Sequence, residues 1–241
     1  MLRIRDLTVC YGGEPALEAL DLDVNAGEFV SLLGPSGSGK TSILRAVTRL
    51  VQPQTGIIHL DVPVSDVGFL FQDDALLPWR TVRQNVALGL RIRGLARLAA
   101  EEKTSYWLSL MGLNEVADRY PRQLSGGQRK RTAIAQVLAL QPRLLLMDEP
   151  FASLDAIVRL RITEELLGWV ERERLTVLLV THDLEEAISL SDVVYVLSQG
   201  PRAAIRARHT VTIERPRRVI ESRGHALFGQ LRQRLWEDLS Q

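Results

Sequence analysis

Apolar and polar positions alternate at the start of the chain. Leu2, Ile4, Leu7 and Val9 mark one strand, and Leu17, Leu20, Leu22 and Val24 a second, before a turn at Asn25-Ala26-Gly27. The period then disappears: residues 29–33 are apolar except for Ser31, the pattern of a strand covered on both faces. Residues 42–50 fit a helix, and 57–60 and 67–71 fit further strands. From 73 to 140 the pattern turns helical. Thr81 with Gln84, and Ser125 with Gln128, have capping-box spacing and predict two helix starts. The second helix runs through Ile134 and Val137 to Leu140, and residues 95–111 form another helix between the two. Strand signals return at 144–147, 176–180 and 193–197, with a helix over about 155–171 and a short one opened by Asp183 and Glu186. The expected organisation is one α/β domain over 1–241, with an N-terminal antiparallel β-subdomain, a helical subdomain inserted over 73–140, and C-terminal strands and a helix over 199–241.

Composition changes this picture little. The 241 residues are 46% hydrophobic and 24% charged, ordinary for a globular domain with an ample core. The apolar runs are far too short to cross a bilayer. The N-terminus alternates like a strand and lacks the apolar block of a signal peptide, so a cytosolic location is expected. The single cysteine, Cys10, leaves no internal disulfide and no cysteine-rich metal site. A net charge of +1 gives no global field for nucleic acid. The basic stretch from Arg202 to Arg234 fits a solvated surface, with binding to nucleic acid or membrane as the competing reading. Only Lys40, Lys103 and Lys130 are lysines among 30 cationic residues, so Lys40 stands out in its glycine-rich setting.

That setting carries the first chemistry. Gly34-Pro35-Ser36-Gly37-Ser38-Gly39-Lys40-Thr41-Ser42 follows a strand and opens a helix, the context a phosphate loop needs. Its glycines let backbone N–H groups point inward around phosphates, Lys40 adds a full positive charge, and the Thr41 hydroxyl suits Mg²⁺. The competing reading is a plain glycine-rich turn. Asp148-Glu149 ends an apolar strand. Alone, such a pair is more often a helix-start feature; beside a phosphate loop, Asp148 suits Mg²⁺ and Glu149 suits a general base for an attacking water.

Between these two segments lies Leu124-Ser125-Gly126-Gly127-Gln128. With it, the chain resembles an ATPase subunit of an ABC transporter over essentially its whole length. Tyr11-Gly12-Gly13 is similar to the family's adenine-stacking loop, and Gln72 to the glutamine that contacts Mg²⁺ and water. Ser125, Gly127 and Gln128 belong to the signature, Ser153-Leu154-Asp155 resembles the dimer-crossing loop, and His182 the switch histidine. Bland competitors are a core or turn aromatic for Tyr11 and a strand-end structural histidine for His182. The resemblance implies the phosphate-loop NTPase core of the ABC ATPase fold, ATP with Mg²⁺, and an ATP-dependent homodimer. In that dimer, Ser125 and Gly127 meet the γ-phosphate held by the partner.

Phe71-Gln72-Asp73-Asp74-Ala75-Leu76-Leu77-Pro78-Trp79 and Arg215-Pro216-Arg217 are similar to the importer branch for nitrate, sulfonates, taurine and thiamine-precursor pyrimidines. That implies a peripheral subunit on the cytoplasmic face of the membrane. Its partners would be an integral permease, touched by Leu76, Leu77 and Trp79 unless these pack internally, and, indirectly, an extracytoplasmic solute-binding protein. No nucleic-acid partner is expected. The alternatives are a soluble ABC-type ATPase acting on nucleic acid or ribosomes, opposed by the lack of long coiled coils, zinc cysteines or a second cassette, and a non-hydrolytic scaffold, opposed by Glu149 and His182. Lys130 stands where the family commonly has glutamine, and Gln136 where it commonly has arginine.

Overall fold

The computed structural model describes residues 1–152 and 154–240. Strands β1 (Leu2–Tyr11) and β2 (Glu14–Val24) pair antiparallel, with every expected apolar position of both strands buried. Strand β3 (Phe29–Leu33) is buried at all five residues and leads through the glycine-rich loop into α1 (Lys40–Val47). Helix α1 is shorter than its apolar pattern predicts, because Arg49 takes a left-handed φ of 60° and stops it. Strand β4 (Thr55–Leu60) returns to β1 and completes a three-stranded sheet in the order β2-β1-β4.

Strand β5 (Val67–Leu70) starts the second half. Three helices follow: α2 (Val82–Ile92), α3 (Arg97–Leu110) and α4 (Gly126–Leu138). Both predicted capping boxes are present, with Thr81 and Ser125 each accepting from the N3 backbone while Gln84 and Gln128 reach back. The chain then alternates β6 (Leu144–Asp148), α5 (Ala156–Glu173), β7 (Thr176–Thr181), α6 (Leu184–Leu190) and β8 (Val193–Leu197). After residue 199 come β9 (Ile205–Thr210), α7 (Val219–Arg223) and α8 (Ala226–Ser240).

The second sheet has the order β5-β6-β7-β3-β8-β9. It is parallel except for β9, which pairs antiparallel with β8. Parallel strands covered on both faces must be apolar throughout, which explains the missing period in β3, β6, β7 and β8. The order sets β6, β7 and β3 side by side. Their carboxyl ends carry Asp148-Glu149, His182 and the glycine-rich loop, and ligands of open α/β sheets gather at such ends.

Two arginines of the basic C-terminal stretch are not solvated decoration. Asp192 accepts from Phe29 N at 2.9 Å, Arg215 Nη2 at 2.6 Å and Arg217 Nη2 at 3.2 Å. Arg217 is buried and also donates to Ser191 O and Ile213 O. Burial pulls its pKa down, with Asp192 opposing. The segment is thereby pinned to the edge of β3 and β8. Across the molecule, Trp107 of α3 packs on Trp169 of α5, with ring centroids 4.3 Å apart and planes inclined by 37°.

Candidate functional site

The loop between β3 and α1 is shaped by left-handed residues, Gly37 at φ 82° and Gly39 at φ 75°. A side chain on Gly39 would also collide with Leu17, whose Cδ2 lies 2.8 Å from the position a Cβ would take. The loop curls around Lys40, which is 4% exposed. Its Nζ donates to Gly34 O at 2.7 Å and Pro35 O at 2.8 Å, and lies 3.3 Å from Ser38 Oγ. Burial lowers the Lys40 pKa, while Glu149 and Asp148 oppose the shift. Helix α1 has no side-chain cap and no acidic residue in its first turn, so its N–H groups and partial positive charge face the loop.

Thr41 Oγ1 donates to Asp148 Oδ1 at 2.9 Å, bringing together a hydroxyl and a carboxylate from segments far apart in the chain. Burial raises the Asp148 pKa and Glu149 adds to the rise; the Thr41 bond, Arg45 and Lys40 oppose it. Tyr11, 45% exposed at the end of β1, places its hydroxyl 3.1 Å from Ser42 Oγ. A cavity of about 430 Å³ is lined by Tyr11, Ala16, the loop from Ser36 to Ser42, Gln72 and Glu149. That volume suits a nucleotide-sized ligand. Just beyond β7, His182 Nδ1 lies 3.0 Å from Glu149 Oε2.

Ser125, Gly127 and Gln128 do not line this cavity. Ser125 Oγ accepts from Gln128 N at 3.2 Å, and Ser125 N donates to Gln128 Oε1 at 3.0 Å. The two glycines differ. A Cβ on Gly126 would meet only Arg129 Nη2 at 3.8 Å, whereas one on Gly127 would fall 2.8 Å from Val158 Cγ1. Close approach within this chain therefore already demands glycine at 127. Asp155 caps α5, its Oδ1 accepting from Val158 N at 3.1 Å. Ser153, named with it in the sequence, lies outside the described residues.

Three acidic residues have partners that the sequence did not show. Glu186 is half-buried beside Thr181, whose hydroxyl donates to it at 2.8 Å; loss of water around the carboxyl pushes its pKa up to about 7. Asp74 pairs with Lys130, whose side chain is fully buried. Asp192 is the acceptor described above. A signal existed for Lys130: it precedes Ile134 by four residues, which puts it on the buried face of α4.

The family model described as ABC transporter matches residues 17–152. The chain belongs to the ABC transporter family. It is 43% identical over 236 residues to the aliphatic sulfonates import ATP-binding protein of Paracoccus denitrificans, covering 98% of this chain and 92% of that protein. It is 42% identical over 209 residues to the nitrate import ATP-binding protein of Synechocystis, covering 83% of this chain and 79% of that one. Among solved structures it resembles a dimeric ATP-binding cassette in a post-hydrolysis state bound to ADP and Pi. The TM-score is 0.78 at 30% identity, over 89% of this chain and all of that one. The ABC chain is thus an ATP hydrolase coupled to transport, with the mixed α/β fold of such cassettes. No described helix of this ABC subunit is long and apolar enough to cross a membrane.

Proposed function

We propose that the chain is the ATP-hydrolysing subunit of an importer for a small solute of the nitrate, sulfonate, taurine or thiamine-precursor pyrimidine class. The observation that carries this reading is the convergence of Tyr11, the phosphate loop, Gln72 and Glu149 on one cavity, while Ser125 and Gly127 stand outside it. Tyr11 stacks on adenine. Backbone N–H groups of residues 34–42 and the Lys40 ammonium hold the phosphates. Glu149 accepts the proton of the attacking water, and His182, 3.0 Å away, orients Glu149 and meets the γ-phosphate. Thr41 and Asp148, joined at 2.9 Å, supply hard oxygen ligands of the kind Mg²⁺ prefers, with Gln72 on the same cavity wall. When bound, Mg²⁺ neutralises charge on the phosphate oxygens.

The outlying signature makes the site a shared one: Ser125, Gly127 and Gln128 act on ATP held by the partner of a homodimer, with Asp155 crossing between. ATP favours the closed dimer and hydrolysis releases it, a population switch. Trp79, 70% exposed, faces an integral permease, whereas Leu76 packs into the protein's own core. The subunit sits at the cytoplasmic face of the membrane, and a solute-binding protein acts on the far side.

The test is to isolate the complex from membranes, identify its membrane partner and measure which solutes stimulate ATP hydrolysis. A permease with a binding protein, and stimulation by an oxyanion or pyrimidine solute, are expected. An export-type partner, or steeply salt-dependent DNA binding with no membrane partner, defeats the reading. In the same complex, Glu149→Gln should lose hydrolysis by a factor of about 10² or more while dimerising with ATP.

A further inference from the structure

The stretch after β5 is mostly exposed at Phe71, Gln72 and Asp73. It is nevertheless held from one side by a lysine of another element. Lys130 lies in α4, five residues beyond Ser125, and its side chain is fully buried. Its Nζ donates to the backbone carbonyl of Gln72 at 3.1 Å and sits 2.9 Å from Asp74 Oδ1. Among the described residues, that buried oxygen has no hydrogen-bond partner, so Lys130 meets it as an ion pair. Arg129 approaches the other carboxylate oxygen at 3.5 Å. A buried ammonium with a carboxylate and a carbonyl as its partners resists separation, because parting them strands a charge in a place water reaches poorly.

The geometry points to Lys130 as a positioning residue that makes the Gln72–Asp74 stretch and the signature turn move as one body. When Gln72 settles against nucleotide in its own cavity, the same displacement carries Ser125 and Gly127 towards the nucleotide of the partner. Filling one site and closing over the other become a single event. A neutral side chain at 130 could bond the Gln72 carbonyl but would leave Asp74 only the more distant, more exposed Arg129 as a counter-charge. This inference rests on the shared-site reading given above.

The experiment compares Lys130→Met, Lys130→Arg, Asp74→Asn and the double variant Lys130→Met/Asp74→Asn with wild type. Three quantities are measured: ATP affinity at protein concentrations too low for dimerisation, kcat, and ATP-dependent dimerisation in a Glu149→Gln background. Lys130→Met is expected to keep ATP affinity within about twofold while kcat falls about tenfold or more and the dimer weakens in parallel, since displaced catalytic groups act on kcat. Lys130→Arg should recover much of the loss. The double variant removes the stranded charge and should regain thermal stability without regaining kcat. Should Lys130→Met fail to fold, the double variant carries the test. Wild-type kcat and dimerisation in either, or recovery of kcat together with stability in the double variant, overturns the proposal. A wild-type protein that neither hydrolyses ATP nor dimerises would instead overturn the shared-site reading beneath it.

Discussion

Helices α1 and α4 begin in opposite ways. Helix α1 starts at a left-handed glycine with no side-chain cap, and its first turn lines the chain's own cavity. Helix α4 starts with a complete capping box, its Ser125 hydroxyl already bonded to Gln128 N, and its first turn does not line that cavity. Neither carries an acid in its first turn, so both N-termini keep their partial positive charge. The difference teaches what each end is built for. An uncapped end with a buried lysine inside its loop meets a polyanion with many donors at once. A capped end has settled its local bonding and offers a stiff, pre-shaped surface to something arriving from outside.

The largest effect should separate the two helix starts. Lys40→Ala is expected to weaken ATP binding by a factor of about 10² or more, since a charge-assisted set of bonds to phosphate is lost. Ser125→Arg should leave monomer ATP binding within a few-fold and yet abolish ATP-dependent dimerisation and hydrolysis. Equilibrium ATP binding beside sedimentation of the dimer distinguishes them. Equal loss of ATP affinity in both variants would erase the contrast drawn between α1 and α4.

A smaller effect concerns Gly127. Its alanine variant forces a methyl group onto Val158 and should cost about 1–3 kcal/mol in chemical denaturation. Adding Val158→Ala should return most of that. Gly126→Ala, with open space around it, should change stability little and report instead on what the partner requires of the turn. If Gly127→Ala is as stable as wild type, the contact with Val158 is not what demands glycine.

An effect of no greater size, confined to high pH, lies away from both helix starts. The Glu186 carboxyl, pushed up to about 7 by burial, binds its proton more tightly in the folded chain than in the unfolded one. Its contribution to stability is therefore fully present below about pH 4.5 and is lost as pH rises towards about 7. Glu186→Gln keeps an acceptor for Thr181 and should flatten that decline, giving about 1–3 kcal/mol more stability than wild type at pH 8 and little change near pH 4. Denaturation midpoints at the two pH values decide it, and an identical pH slope in both proteins would count against the shift.

Much of this was legible in the sequence where a local rule suffices. The unbroken apolar runs of β3, β6, β7 and β8 mark doubly covered strands, and the spacings Thr81/Gln84 and Ser125/Gln128 mark the starts of α2 and α4. The glycine-rich turn between β3 and α1 and the acidic end of β6 were readable because each is contiguous in the chain. What escaped is what depends on partners distant in sequence. Asp74 is ordinary until Lys130, on another element, loses its water against it. Arg215 and Arg217 look like part of a solvated basic run until Asp192 gathers them at the start of β3. Glu186 has a perturbed acidity chiefly because the fold strips water from it, with Asp183 adding to the rise. The family resemblance implies a role for Gly127 at a partner subunit; the structure adds Val158, a contact no spacing rule would reveal.

The pairing of Trp107 with Trp169 has one more consequence. It spans the seam between helix α3 of the 82–138 helical stretch and α5, which follows the acidic strand. Two indoles at 4.3 Å share their excited states strongly, and that coupling changes steeply with separation and tilt. The protein thus carries a native optical gauge across the joint that must flex if helices and sheet move against each other. Near-ultraviolet circular dichroism, recorded through a cycle of nucleotide addition, would read that movement without any attached dye.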